Sequence, residues 1–340
     1  MKIAAVTSGV NDPARRYRVE QLVAPLGLRG IELEEYFPRI SSYPPRDRIG
    51  RPLWLLRALV ERVGMLRQLG EHDAVVFQRE LVSTLPTLER WFRAPSLLDV
   101  DDAIHLYRGG WAARSIASSC EGVICGNRYL AEWYSAWNRN VAVIPTGVDV
   151  EAYTVARGPD SYTFHNQGII GWIGSPGNLK YLSAIAAPLV RVLRNVVNAK
   201  LEIITSEGAS VPSVLKPWAD VVPWRPGIEY ERVHAWRMGL MPLTDGSWER
   251  GKCAFKFLQY LAAGVPAVVS PVGMNQEVLE KAPVGLAART EREWYEAVAG
   301  LLMDPHEAFR MGATGRKLVC REYALDRVAD LWVQALRRWL

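Results

Sequence analysis

The sequence is poor in cysteine, in lysine and in long apolar runs. Its four cysteines, Cys120, Cys125, Cys253 and Cys320, form no CxxC pair and fall far short of the density of a disulfide scaffold. That spacing excludes the common zinc-ribbon and thiol-redox motifs, and reduced thiols in a cytoplasmic setting are the expectation. The first residues, MKIAAVTSGVNDPARR, carry an apolar run too short for a signal-peptide core, and no run approaches the roughly 20 residues that span a bilayer. A soluble chain, with peripheral membrane contact at most, is expected. The five histidines are scattered singly, so no histidine-rich metal site is visible. Only eight of the 41 basic residues are lysines, and none falls between Lys2 and Lys180. Against that scarcity the pair Lys252 and Lys256 stands out.

What is present describes a folded chain. Its 340 residues exceed what one core usually organises, so two domains of about 150 residues each are expected. With 49% hydrophobic, 10% aromatic and 23% charged residues, the composition excludes a disordered, collagenous or low-complexity chain. The net charge of +5 suits an anionic ligand or surface. No aromatic and basic module of a nucleic-acid binder is visible, and no nucleic-acid partner is expected.

Short apolar, β-branched runs recur at 2–6 (KIAAV), 73–77 (DAVVF), 96–100 (SLLDV), 122–125 (GVIC) and 141–144 (VAVI), with helical stretches between them. This rhythm predicts βα units around a parallel sheet. A polar stretch at 151–167 containing Gly158 and Pro159 reads as a linker. The rhythm then restarts with GIIGWIG, LEIIT, VVPW, GLMPL and PAVVS. The expected architecture is α/β, two Rossmann-like domains whose parallel sheets face a central cleft, with the boundary near residue 163.

The C-terminal half carries the stronger site signals. At 168–182 a buried strand runs through a turn with Gly171, Gly174 and Gly177 into a helix expected from about Asn178. Small residues there let backbone approach an anion, and Ser175 can cap or hydrogen-bond, although such turns are as often merely turns. From Asp245 to Leu279 a polar loop precedes a helix of about 10 residues, followed by Gly264, Pro266, a buried strand and another helix start. Lys252 and Lys256, if both are helical, share a face with Gln259. A solvated basic face is the plain alternative.

These residues carry a family likeness. The segment from Gly239 to Leu279 resembles the nucleotide-sugar site of family 4 retaining glycosyltransferases, which have the GT-B fold. IPTGVD at 144–149, GWIGS at 171–175, GNRYL at 126–130 and DVDDA at 99–103 stand in the order that family would give them. The resemblance implies sugar transfer from a nucleoside diphosphate to a hydroxyl acceptor with retention, without a bound metal or other cofactor. Exopolysaccharide, lipid-linked and small-molecule acceptors stay open. It further implies an acceptor domain at 1–163, a donor domain at 164–324 and a last helix at 325–340 that packs back on the first domain. The candidates to hold the donor are Gly174, Ser175, Lys180, Trp224, Lys252, Lys256 and Gln259, with Lys256 also stabilising the leaving diphosphate.

The family's usual pair of glutamates, eight residues apart before an AxxG helix end, is missing. Aligned on LAAG at 261–264, Gln259 stands at the second glutamate and Gly251 at the first. Gln259 can still bond a ribose hydroxyl. Glu249 or Asp245 is the candidate substitute for the first. A branch of the family carries GKCxFKxxQY in place of the glutamates, and Gly251 to Tyr260 matches it residue by residue. The missing glutamates also motivate two alternatives, a non-catalytic nucleotide-sugar binder or partner subunit and, less favoured, a sugar-nucleotide epimerase.

In the N-terminal half, DVDDA puts Asp99, Asp101 and Asp102 at a strand end facing the expected cleft. By the resemblance Asp101 takes the place of a histidine near the anomeric carbon, so Asp101 or Asp102 would orient the acceptor hydroxyl or take its proton. A helix N-cap explains Asp102 nearly as well. Metal ligation by the clustered carboxylates is the competing reading. Arg15, Arg16 and Arg79 follow strands and are candidates for an acceptor phosphate or carboxylate. Residues 46–70 read as a basic amphipathic helix with Leu56, Leu59, Val60, Val63 and Leu66 at helical spacing. Such a helix either packs on the sheet with its arginines in solvent or touches an anionic lipid surface.

Overall fold

A computed structural model describes residues 1–9, 12–45, 47–89, 92, 94–153 and 168–340, which form two units. The first comprises Met1–Gly147, Arg250–Cys253 and Leu325–Leu340, and the second Val148–Glu249 and Ala254–Ala324. The linker expected at 151–167, and with it the boundary at 163, falls almost wholly outside the described residues; the unit division itself falls at Gly147/Val148.

The first unit is built on β1 (Lys2–Val6), β2 (Glu32–Tyr36), β3 (Ala74–Gln78), β4 (Ser96–Val100), β5 (Gly122–Cys125) and β6 (Val141–Val143). They pair in parallel throughout, in the order β2-β1-β3-β4-β5-β6. Every residue of β3, β4 and β5 is buried, which is why these strands read as largely apolar runs, with Gln78, Ser96 and Asp99 as buried polar exceptions. The last helix, Leu325–Trp339, belongs to this unit. Its Val328, Ala329, Trp332, Val333 and Leu336 join Ile3, Leu22, Leu97 and Ile124 in one core, and Arg29 pairs with Asp326 and Asp330 on its outer side.

The second unit is built on β7 (Ile169–Ile173), β8 (Lys200–Thr205), β9 (Ala219–Pro223), β10 (Met238–Met241), β11 (Ala267–Val269) and β12 (Gly285–Ala287), again all parallel. Their order is β12-β11-β10-β7-β8-β9. Counted within the unit, this is the doubly wound order in which the chain goes out from β7 to one side and returns to fill the other. The reversal falls between β7 and β10, and in such sheets ligands bind outside the carboxyl ends of the strands at that point.

Close aromatic contact fixes this centre. A Cβ built on Gly171, in the middle of β7, would lie 1.9 Å from the fully buried ring of Trp236. Glycine is therefore required in this strand by a side chain, not by backbone freedom. Gly171→Ala is expected to cost about 2 kcal/mol or more through overpacking, seen as a fall in the urea midpoint. Gly177→Ala, where nothing lies within 4 Å and φ is ordinary, should leave the midpoint within the range of a surface change. An unshifted midpoint for Gly171→Ala would show that Trp236 can move aside.

Candidate functional site

In the second unit the loops that follow β7 and β10 leave the sheet side by side, because those strands are neighbours in register at Ile170 with Met238 and Gly171 with Gly239. Tyr260, buried under them, ties both ends together. Its hydroxyl accepts from the Ile173 amide at 3.3 Å and donates to the Leu240 carbonyl at 3.3 Å.

The turn after β7 differs from its sequence reading. A Cβ on Gly174 would lie 2.2 Å from the ring of Trp172, so this glycine makes room for a side chain of its own strand. The helix expected from Asn178 begins as a 3₁₀ turn, Pro176–Asn178, and continues for only six residues, Leu179–Ala184. Ser175 is exposed, and its hydroxyl accepts from the Asn178 side chain at 3.1 Å. Lys180 is exposed, its ammonium 4.8 Å from the centre of the Tyr181 ring. Trp224 follows β9, the edge strand two places from the reversal, and its amide donates to Thr205 at 2.7 Å.

Beyond β10, Asp245 is exposed, whereas Glu249 is buried in a short helix, Ser247–Arg250. The Glu249 carboxylate accepts from the Tyr181 hydroxyl and lies where a side chain on Gly246 would stand. The next helix, Phe255–Ala262, starts after Ala254, whose φ of 50° is left-handed. Lys256 and Gln259 share a face of it, half-buried and buried respectively. Lys252 does not join them. It lies before the helix, so the shared face expected for Lys252, Lys256 and Gln259 exists only for the last two.

Lys252 belongs instead to Arg250–Cys253, a segment that counts with the first unit although the sequence around it builds the second. The Asn127 side chain donates to the carbonyls of Arg250 at 3.3 Å and Lys252 at 3.1 Å, while its oxygen caps the helix Arg128–Tyr134 through the Leu130 amide. The Cys253 thiol donates to the Asp101 carbonyl at 3.1 Å. Burial and the neighbouring Asp101 carboxylate push that thiol far above its ordinary range, so it serves as a donor and not as a nucleophile. A Cβ on Gly251 would stand 2.6 Å from the Ala103 Cβ and 2.9 Å from its amide nitrogen. The position aligned with the family's first glutamate thus has no room for one.

The three aspartates at the end of β4 are held by two arginines. Arg18 is buried and grips Asp99 with two guanidinium nitrogens, one at 3.1 Å, and donates a third bond to Ile144 at 2.8 Å. Arg79 reaches Asp101 at 2.6 and 3.0 Å and Asp102 at 2.8 Å. Its own φ of 65° is left-handed, an uncommon geometry for a long side chain and one that clusters at functional sites. Burial works against the charge of Asp101, but Arg79 and Arg18 outweigh it and hold this carboxyl below the ordinary range. Burial lifts Asp102 above that range despite Arg79, helped by the Asp101 charge and opposed by Lys252. The pair therefore offers one fixed anion and one more basic carboxylate.

This arrangement corrects several expectations. Asp102 caps no helix, since the following 3₁₀ segment starts after Ala103 without a side-chain cap. Arg79 bonds two carboxylates, and Arg15 is paired with Glu20 and Glu35 above the Phe37 ring. Arg16 lies over the ring of Tyr17. His105, the histidine nearest the aspartates in sequence, is buried and stacked on Trp133 at 4.6 Å. Among the described residues no group of three or more His, Cys, Asp or Glu side chains is arranged to hold a metal ion. One group was missed: Glu80, next to Arg79, is buried, and desolvation pushes its carboxyl up to about 7. The run FQRE shows no burial pattern that would have revealed it.

Comparison with known proteins bears on the fold and on the second unit. Residues 192–334 match the family model described as glycosyl transferase-like. Sucrose-phosphate synthase from Thermosynechococcus elongatus is similar over 99% of this chain and 98% of its own, with a TM-score of 0.75 at 14% identity. Anabaena HepE in complex with UDP-glucose is similar over 99% of this chain and 100% of its own, with a TM-score of 0.72 at 11% identity. WaaG, a glycosyltransferase involved in lipopolysaccharide biosynthesis, is similar over 97% of this chain and 99% of its own, with a TM-score of 0.68 at 13% identity. No curated protein sequence matches. The chain has the GT-B fold, and the glycosyltransferase resemblance read from its motifs stands.

Two measurements test the electrostatics. Arg18→Met would leave Asp99 buried without its partner and is expected to cost roughly 3–5 kcal/mol in chemical denaturation, with much of the loss recovered in Arg18→Met/Asp99→Leu. A single variant as stable as the parent would show that water reaches Asp99. Glu80 keeps, in the folded protein, a proton that the unfolded chain releases near pH 4.5. Its contribution to stability is therefore largest at acid pH and is lost as pH rises from about 4.5 to about 7. Glu80→Gln should flatten that slope and raise stability at pH 8 by at most roughly 3 kcal/mol; an unchanged slope would refute the assignment.

Proposed function

We propose that this GT-B chain, glycosyl transferase-like over residues 192–334, moves a sugar from a nucleoside-diphosphate sugar to a hydroxyl acceptor with retention of configuration and without a bound metal. The observation that carries the reading is the sheet reversal between β7 and β10, which lies beside the helix of Lys256 and Gln259. When the glycosidic bond breaks, charge gathers on the leaving diphosphate. A fixed ammonium and unpaired backbone amides stabilise that charge more than they stabilise the bound donor. In this reading Lys256 meets the diphosphate, Ser175 and Lys180 line the turn after β7, and Gln259 bonds a ribose hydroxyl. Glu249, oriented by Tyr181, offers its remaining lone pairs to the sugar.

Acceptor chemistry falls to the aspartates of the first unit. Asp101 stays ionised under Arg79 and orients the hydroxyl. Asp102, held above its ordinary range, is the better proton acceptor. Lys252 offsets the charge of Asp102 and remains a second candidate for the donor phosphates. UDP is the first nucleotide to try, because HepE, a protein of similar fold, is described in complex with UDP-glucose. The acceptor classes are a glycan, as in polysaccharide biosynthesis, a lipid-linked sugar or a small molecule.

The absence of room for a glutamate at Gly251 favours one second reading, a nucleotide-sugar binder without turnover. Calorimetric titration with UDP, GDP, ADP and TDP in the presence of a chelator separates the two. The expected result is saturable binding of one nucleotide, weakened about tenfold to a hundredfold in Lys256→Ala through loss of a charge-assisted contact, and sugar transfer to a hydroxyl acceptor. Binding with no turnover would turn the assignment to the second reading. No binding to any of the four, by protein shown to be folded, would overturn both.

A further inference from the structure

The helix Arg51–Gln68 is apolar on more than the face it buries. Ala58, Arg62 and Met65 are buried, with Trp54, Leu55, Leu59 and Leu66 half-buried beside them. A second apolar line points to solvent: Ile49, just before the helix, is 90% exposed, Leu53 53%, Leu56 60% and Val60 66%, and Val63 continues it at 36%. These positions recur at intervals of four and three and so lie along one line of the helix.

The rotation is set by Arg62. Its guanidinium, fully buried, donates to the Ile40 carbonyl at 2.7 Å, the Leu81 carbonyl at 3.4 Å and the Ser42 hydroxyl at 3.3 Å, and pairs with Glu61 at 2.7 Å. Turning this line inward would strip a buried cation of these partners, a larger loss than leaving its apolar side chains partly in solvent. The exposed stripe is therefore built into the fold.

The charge around the stripe is predominantly positive. Arg48, Arg51, Arg57 and Arg67 are exposed along the segment. Its two acidic side chains are engaged with backbone, Asp47 accepting from Ile49 and Gly50 and Glu61 from Arg39 and Ile40. An apolar line flanked by four exposed arginines, with only Asp47 and Glu61 against them, complements a surface that is apolar beneath an anionic layer. We propose that residues 48–67 bind an anionic lipid bilayer, the helix lying in the interface plane with Ile49, Leu53, Leu56 and Val60 in the acyl boundary and the arginines at the headgroups. Among the described residues no helix is long and apolar enough to cross a membrane. This inference does not rest on the transferase reading.

The test is flotation of the full chain with vesicles of phosphatidylcholine containing about one third phosphatidylglycerol, against phosphatidylcholine alone, at about 0.1 M salt. The chain should float with the anionic vesicles only, and binding should weaken as salt rises. Leu56→Ser/Val60→Ser should weaken it at least about tenfold without lowering the thermal midpoint, because neither side chain is part of a core. Arg57→Ala/Arg67→Ala, which keeps the apolar line, should reduce the salt dependence. Failure to float with anionic vesicles, or undiminished flotation of the serine variant, would overturn the proposal. So would a concentration-dependent dimer that the serine variant abolishes while the parent ignores vesicles, since the stripe would then belong to a second copy.

Discussion

Three carboxylates and two guanidiniums at the end of β4 must neutralise one another with little help from water, and the surrounding backbone is arranged around that requirement. Asp99 is fully buried, and stripping an ion of water costs several kcal/mol unless bonds replace the lost hydration. Arg18 supplies them through a forked contact, the geometry in which a guanidinium matches a carboxylate best. With Asp99 held there, the chain leaves the strand with Asp101 and Asp102 both directed at Arg79, and Arg79 accepts a left-handed backbone to reach them. The Asp101 carbonyl then takes the thiol of Cys253, so the same short stretch that carries the charges also anchors the segment Arg250–Cys253. Charge neutralisation and docking of that segment are one structural event.

The second unit uses apolar means to the same end. Trp236, Tyr260 and Trp172 fill the space left by Gly171, Gly239 and Gly174, so the strands on either side of the sheet reversal are held by rings lying where side chains would be. Tyr260 adds a hydroxyl that joins the last residue of β7 to β10. Such bracing suits the proposed reading, because hydrogen bonds that need no reorganisation stabilise developing charge most.

The inner strands were legible in the sequence because burial on both faces writes itself as a largely apolar run. Two of the four edge strands were not. ELEEY at Glu32–Tyr36 pairs only with β1, and GLA at Gly285–Ala287 pairs only with β11, so neither needs a double apolar face. Site residues were legible as types and positions but not as partners. Lys252 and Lys256 are four apart in sequence, yet a left-handed residue at Ala254 stops the helix between them. Gly171 and Gly174, two of the three glycines that suggested anion contact, make room for tryptophan rings, a use that spacing cannot separate from anion contact because both demand the same small residue. The apolar periodicity of 46–70 identified a helix but did not separate its half-buried Leu59 and Leu66 from its exposed Leu56, Val60 and Val63, a rotation that depends on carbonyls at Ile40 and Leu81 that meet Arg62 only in three dimensions.

The segment Gly251 to Tyr260 shows why the missing glutamate is not a simple substitution. A glutamate at position 251 would need a Cβ where Ala103 already stands, and relieving that overlap would move the backbone away from Asn127 and Cys253 from Asp101. Restoring the carboxylate would therefore disturb the aspartates at the end of β4 as well as add a charge. Glycine, lysine and cysteine in this motif form a unit: the first permits close approach, the second brings a cation beside Asp102, and the third fixes the segment through one hydrogen bond. Any acidic contact to a sugar must then come from elsewhere. In the proposed reading Glu249, one residue before this segment and held by the Tyr181 hydroxyl, is the carboxylate that takes this part.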